Sequence, residues 1–153
     1  MTSYPNFRYC VWLLPDDEYL YNINRQITPH ISVKTNLSLA DAINLHNNVY
    51  KDINHTKIHA KIDDNFLISN NNGLTSLYYN VLYGDPREKP VWWPDDARMS
   101  FIYKYNEGIT ENEKIYMNIQ PIDHHTTFRN PCIALCDGHY GKWDIIKMYY
   151  VIH

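Results

Sequence analysis

Hydrophobic and polar positions along the chain predict a succession of short strands and helices. A dense apolar and aromatic run over residues 7–14 is typical of a buried strand. The apolar side chains within residues 20–27 then recur at helical spacing behind Asp16 or Asp17, either of which suits a helix N-cap. Residues 30–35 form the second predicted strand.

The middle of the chain continues in the same manner. Residues 39–51 carry apolar side chains at helical spacing after a capping residue, Ser38, and predict a helix. Residues 57–62 alternate strictly, as a half-exposed strand does. Residues 66–69 and 74–83 flank an asparagine-rich turn that ends in glycine, which predicts a hairpin.

The last third begins with a loop over residues 84–97, which contains three prolines. Residues 98–105 alternate as a strand, and a capping box opens a helix over residues 110–119. Residues 132–136 and 143–152 read as the closing strands. The whole pattern predicts an α+β fold.

Length, charge and cysteine content narrow the possible partners. The chain has 153 residues, which predicts a single domain over 1–153. A net charge of −3 disfavours a broad electrostatic hold on duplex DNA. Three cysteines without framework spacing indicate reduced thiols, and with no signal segment and no bilayer-length apolar run we expect a cytoplasmic protein without membrane contact. The oligomeric state stays open.

The run His30-Ile31-Ser32-Val33 carries the most informative chemistry. On a strand, His30 and Ser32 share one face while Ile31 and Val33 anchor the other. An imidazole beside a hydroxyl can bind a phosphate oxygen and move a proton near neutral pH.

A zinc site is the competing use of the histidines and cysteines, and the sequence argues against it. Cys132 and Cys136 on one strand would lie about 13 Å apart, too far for a single metal. His46 falls on the apolar face of its helix, which indicates a hydrogen-bonded core residue. We therefore expect neither a metal nor a cofactor.

Together, these segments resemble the two-histidine phosphoesterases, in particular the 2′,3′-cyclic-nucleotide phosphodiesterase branch. Residues 11–15 (VWLLP), the short helix with residues 19–21 (YLY) and residues 29–33 (PHISV) resemble that family's first strand, helix and first His-x-Thr/Ser motif. Residues 98–103 (RMSFIY) and the acidic helix start at 110–113 resemble its second motif region. The likeness extends over most of the chain.

One position departs from the family pattern. Arg98 stands where the family has its second histidine, with Ser100 as the accompanying hydroxyl. An arginine cannot act as a base or a useful acid, but its planar fork suits two phosphate oxygens. Two alternatives for the missing histidine are His124 and His125, which form His-x-Thr pairs with Thr126 and Thr127 in a segment read as a loop.

The resemblance implies a two-lobed, pseudo-symmetric fold with two antiparallel sheets, helices outside and a central cleft. The lobes would cover about residues 7–83 and 98–152, and a crossover of strands between them is left open. It implies a metal-independent phosphodiesterase acting on a 2′,3′-cyclic phosphate, a cyclic nucleotide or a 2′–5′-linked RNA end. The implied catalytic set is His30, Ser32, Arg98 and Ser100.

The sequence leaves two further functions open. With Arg98 in place of a histidine, the cleft could bind a small nucleotide or an RNA end without cutting it, or it could be a vestige in an interaction module. Trp93 and Tyr140 are the aromatic residues expected to contact the base of such a ligand. Asp95 and Asp96 beside a phosphate are expected to point away or to pair with Arg98.

Overall fold

A computed structural model describes residues 8–24, 26–53, 57–136 and 143–147, with only the backbone at residues 129, 130 and 144–147. Within these ranges the fold is α+β, with eight strands, three α-helices and one short 3-10 turn at Pro86–Glu88. The elements in chain order are β1 Tyr9–Pro15, α1 Glu18–Ile23, β2 Ile31–Leu37, α2 Leu39–Ile53, β3 Ile58–Ile62, β4 Leu67–Asn71, β5 Leu74–Tyr83, β6 Arg98–Tyr105, α3 Glu111–Asn118, β7 His125–Leu135 and β8 Asp144–Lys147.

Local sequence signals explain most of these boundaries. The Asp17 carboxylate accepts a hydrogen bond from the Tyr19 amide and caps α1, while Ser38 Oγ accepts from the Asp41 amide at the start of α2. The predicted capping box of α3 is confirmed, because Thr110 and Glu113 bond each other's backbone amides. The hairpin between β4 and β5 turns through two residues with positive φ, as a tight hairpin requires.

The eight strands form one connected antiparallel sheet, not the two sheets that were expected. Its main order is β2-β1-β7-β3-β5-β4, with β6 beside β5 and β8 beside β7. The connection depends on the ten-residue length of β5, which pairs with β6 along most of its course, with β4 over its first half and with β3 at its end. The pairing also interleaves the two predicted lobes, since β7 lies between β1 and β3.

The sheet around β1, β2 and β7 has two different faces. One face packs with α2 in the main core, through buried aliphatic side chains such as Val11, Leu13, Ile31 and Ile133. The opposite face carries a smaller buried cluster that includes Cys10, Trp12, Cys132, Ala134 and Cys136. The His30 and Ser32 positions belong to this second face.

Strand β7 is longer than predicted, because Pro121 and Asp123 suggested a loop around its first residues. On the side away from β1, it pairs with β3 as far as Phe128 and with β8 only from Ile133 onward. Pro131 lies in the gap between these partners, where the missing N–H is tolerated. The same pairing places His125 on the strand itself.

His46 is buried in the core as expected, with its Nε2 3.1 Å from the Pro131 carbonyl oxygen. Burial is the main reason that its pKa is lowered.

All three cysteines are free thiols and buried. None of the helices in the described part of the chain combines the length and apolar character needed to cross a bilayer.

Candidate functional site

Four predicted site residues from two distant segments line one cavity of about 490 Å³. His30 and Ser32 lie on one wall with Trp12, and Arg98 and Ser100 lie on the opposite wall, which β4, β5 and β6 build. A cavity of this size can hold a mononucleotide-sized ligand. Further polar lining comes from Thr35, Ser69, Asn70, Asn71 and Ser76.

The His30 ring is fixed from two sides. It stacks on Trp12 with ring centroids 3.6 Å apart and planes 11° from parallel. Its Nδ1 lies 2.8 Å from the Thr28 carbonyl oxygen. Because a carbonyl oxygen only accepts, Nδ1 carries the proton and Nε2 keeps a lone pair.

Burial also sets the charge of His30. The side chain is only 7% exposed, and desolvation lowers its pKa to about 4 against a smaller opposing effect of the Thr28 hydrogen bond. The imidazole is therefore neutral at pH 7. It can accept a proton or a hydrogen bond, and it has no proton to give as an imidazolium.

Ser32 takes its direction from the ladder between β1 and β2. It lies directly opposite Trp12, so the two side chains share a face with His30, two residues earlier. Its side chain is half-buried at the cavity wall. The sequence alternation predicted this placement correctly.

A bulge in β6 arranges the opposite wall. Tyr78 pairs with Ser100 and Leu77 with Ile102, which leaves Phe101 as the extra residue. The bulge changes the alternation, so that Tyr103 lines the cavity together with Ser100. Ser76 Oγ donates to Ser100 Oγ at 2.8 Å, and the Tyr103 hydroxyl is also hydrogen-bonded to Ser100.

Tyr103 adds a buried phenol to the cluster of hydroxyls formed with Ser76 and Ser100. Burial is the largest cause that raises its pKa to about 12. The hydroxyl therefore stays protonated in the physiological range. Together with Ser76 and Ser100 it forms a neutral hydrogen-bonding surface beside Arg98.

Three contacts hold the Arg98 guanidinium. Its Nη2 donates to Asp96 Oδ2 at 2.7 Å, and its Nη1 donates to Ser69 Oγ at 3.4 Å. Its Cζ lies 4.6 Å from the centre of the Tyr78 ring, a cation–π contact. The pairing with Asp96 confirms one of the two arrangements expected for that carboxylate, although Asp96 also lines the cavity.

The segment before His30 is tied to the opposite wall. Asn24 Nδ2 donates to the Ser100 carbonyl oxygen at 2.8 Å, and the Tyr103 amide donates to Gln26 Oε1 at 2.7 Å. Asn24 is only 4% exposed. These bonds set the separation of the two walls, and no motif in the sequence distinguished either residue from an ordinary loop side chain.

The expected aromatic contacts need correction. Trp93 is buried against Tyr83, with ring centroids 5.2 Å apart, and does not line the cavity because it packs in the main core. Tyr140 lies outside the described residues. Trp143 lines the cavity instead, with its ring centroid 5.4 Å from that of Tyr103.

His124 and His125 do not reach this cavity. His124 Nδ1 lies 3.0 Å from the Ile62 carbonyl oxygen, and His125 lines a separate depression of about 420 Å³. The reason is the register of β3 and β7, which pairs Lys61 with His125. Neither histidine supplies the second acid or base that Arg98 cannot provide.

No group of three His, Cys, Asp or Glu side chains able to hold a metal ion occurs among the residues that the structure describes.

Comparison of the chain with family models, with curated proteins and with solved structures gives no significant match. The cavity's own chemistry is therefore the basis for assigning a function.

Proposed function

We propose that the cavity binds a nucleotide through a phosphodiester and holds it with little or no hydrolysis. The observation that carries this proposal is the convergence of one neutral imidazole, one guanidinium and several hydroxyls on a single cavity. Arg98 would donate to the phosphate oxygens, with Ser32 and Ser100 as additional donors. Trp143 and Tyr103, whose rings meet edge to face at the cavity, would contact the nucleobase.

Hydrolysis of such a diester needs a base for the attacking oxygen and an acid for the leaving oxygen. His30 Nε2 would serve as the base, but its lowered pKa weakens that role. Arg98 would stabilise negative charge without giving up a proton. Loss of one positioned acid or base costs about 10²- to 10⁴-fold in rate, so binding is the better-supported function.

Slow hydrolysis is the second candidate, favoured by the unprotonated Nε2 of His30, a residue that lines the cavity. It would proceed with His30 as base and with Arg98 and the serine hydroxyls stabilising the developing charge. Because this route uses only side chains of the chain, the activity would persist in EDTA.

Calorimetric titration with 2′,3′-cyclic mononucleotides and with cyclic oligonucleotides, followed by chromatography of the recovered ligand, separates these functions. Binding without product supports the proposal, product at an appreciable rate favours the hydrolase, and no binding of any of these ligands contradicts both. Arg98→Ala should weaken binding at least about tenfold, since it removes a charge-assisted donor pair.

Arg87→Ala is the matched control, because Arg87 is an exposed arginine paired with Asp85 and does not line the cavity. It should bind like the wild type. Arg98→His returns an acid or base to the second motif, and we expect it to gain hydrolysis while binding less tightly. His30→Ala in the same background should abolish that gain.

A further inference from the structure

Asp96 is the one carboxylate among the described residues that line the cavity. Its Oδ2 lies 2.7 Å from Arg98 Nη2, and both side chains line the cavity. The Asp96 side chain is 72% exposed and that of Arg98 38%. An ion pair this exposed contributes little to the stability of the fold. Its main effect is therefore expected on a ligand bound in the cavity.

The charges of the cavity lining balance. Among the described lining residues Arg98 is the one cation and Asp96 the one anion. The remaining groups are hydroxyls, amides, thiols, aromatic rings, the aliphatic side chain of Leu74 and the neutral His30 imidazole. A bound anion would therefore face one positive and one negative group, whose combined formal charge is zero.

Arg98 cannot easily move away from Asp96 when a more highly charged ligand binds. Ser69 and the Tyr78 ring hold the guanidinium on its own wall. A ligand that reaches Arg98 must approach the Asp96 carboxylate as well. Repulsion from Asp96 and attraction to Arg98 both grow in proportion to the ligand's charge and largely offset each other, whereas the cost of removing the ligand's hydration grows with the square of its charge.

We infer that Asp96 is a charge filter, which makes the cavity select singly charged phosphodiesters over doubly charged phosphomonoesters. This inference rests on the proposed function and adds a substrate class to it. A diester carries one negative charge, whereas a phosphomonoester carries nearly two at pH 8, above its second pKa of about 6. The filter would let the protein hold a diester and reject its ring-opened hydrolysis product.

The test is calorimetric titration at pH 8 and low salt with adenosine 2′,3′-cyclic phosphate and with adenosine 3′-phosphate. The wild type should prefer the cyclic diester by about tenfold. Asp96→Asn should tighten the 3′-phosphate by about tenfold and the diester by no more than about threefold, so that the preference largely disappears.

Asp95→Asn is the matched control, because it changes the net charge equally at an exposed neighbour that does not line the cavity. It should keep the wild-type preference. Equal affinity of the wild type for both ligands would overturn the filter while leaving the proposed function standing. An equal gain for both ligands in Asp96→Asn would also overturn it, because Asp96 would then only compete for Arg98. Failure of both ligands to bind the wild type would remove the proposed function itself.

Discussion

The wall that carries His30 and the wall that carries Arg98 differ in burial and in charge. The His30 wall is an apolar layer in which Trp12 is 2% exposed and the imidazole is neutral. The Arg98 wall is a half-exposed network of ion pair, amides and hydroxyls. Packing fixes the His30 wall, so substitutions there should mainly change stability. Hydrogen bonding fixes the Arg98 wall, so substitutions there should mainly change which ligand is bound.

The largest expected effect on stability is Trp12→Ala. It removes a buried indole that packs in the cysteine-rich cluster and supports the His30 ring, and it should lower the free energy of unfolding by about 3–5 kcal/mol. Urea unfolding measures the change. Trp92→Ala, at a partly exposed indole outside both walls, should cost clearly less, and equal costs would contradict the role of burial in the effect of Trp12.

The second-largest expected effect is a loss of unfolding free energy in acid, caused by His30. An unfolded histidine takes up its proton near pH 6.5, whereas the folded His30 does so only near its pKa of about 4. Between these values the unfolded state binds more protons, so the free energy of unfolding falls as the pH drops from about 6.5 to 4. The loss due to His30 should be about 3 kcal/mol.

His46, whose pKa is also lowered, acts in the same direction, so a variant is needed to isolate His30. His30→Gln should flatten the dependence of unfolding free energy on pH in this window. His125→Gln, at an exposed histidine, should leave it as in the wild type. An unchanged pH dependence in His30→Gln would mean that the imidazole is not held neutral by burial.

The smallest of these effects concerns the tie between the walls. Asn24→Ala removes the buried donor to the Ser100 carbonyl oxygen and should cost about 1–3 kcal/mol in urea unfolding. It should also weaken nucleotide binding, because the separation of the walls is no longer fixed. Asn118→Ala, at an exposed residue ending α3, should change stability by no more than about 0.5 kcal/mol.

Local patterns predicted the parts of the site that depend on local geometry. Alternation put Ser32 and Ser100 on the cavity side, and the proline-rich loop was correctly separated from the strand that begins at Arg98. The direction of Tyr103 depends on a bulge at Phe101, which is set by pairing with β5 and leaves no sequence signal. The roles of Asn24 and Gln26 were missed because their partners lie more than seventy residues away.

Tertiary packing also decided between similar residues. Trp93 and Trp143 are both tryptophans near turn-rich segments, yet only Trp143 faces the cavity, since Trp93 fills the core beside Tyr83. The two expected sheets are joined because β5 is long enough to serve both. Alternation gives the face of a strand on which a side chain lies, but which faces enclose a cavity follows from long-range pairings that neither composition nor periodicity contains.

The most direct test is a crystal structure with a phosphorothioate analogue of a 2′,3′-cyclic nucleotide. We expect the phosphate oxygens to lie within about 3.2 Å of the Arg98 guanidinium and a serine hydroxyl, with His30 Nε2 facing the phosphorus from the opposite wall. A ligand bound outside this cavity, or one that contacts a single wall only, would contradict the account.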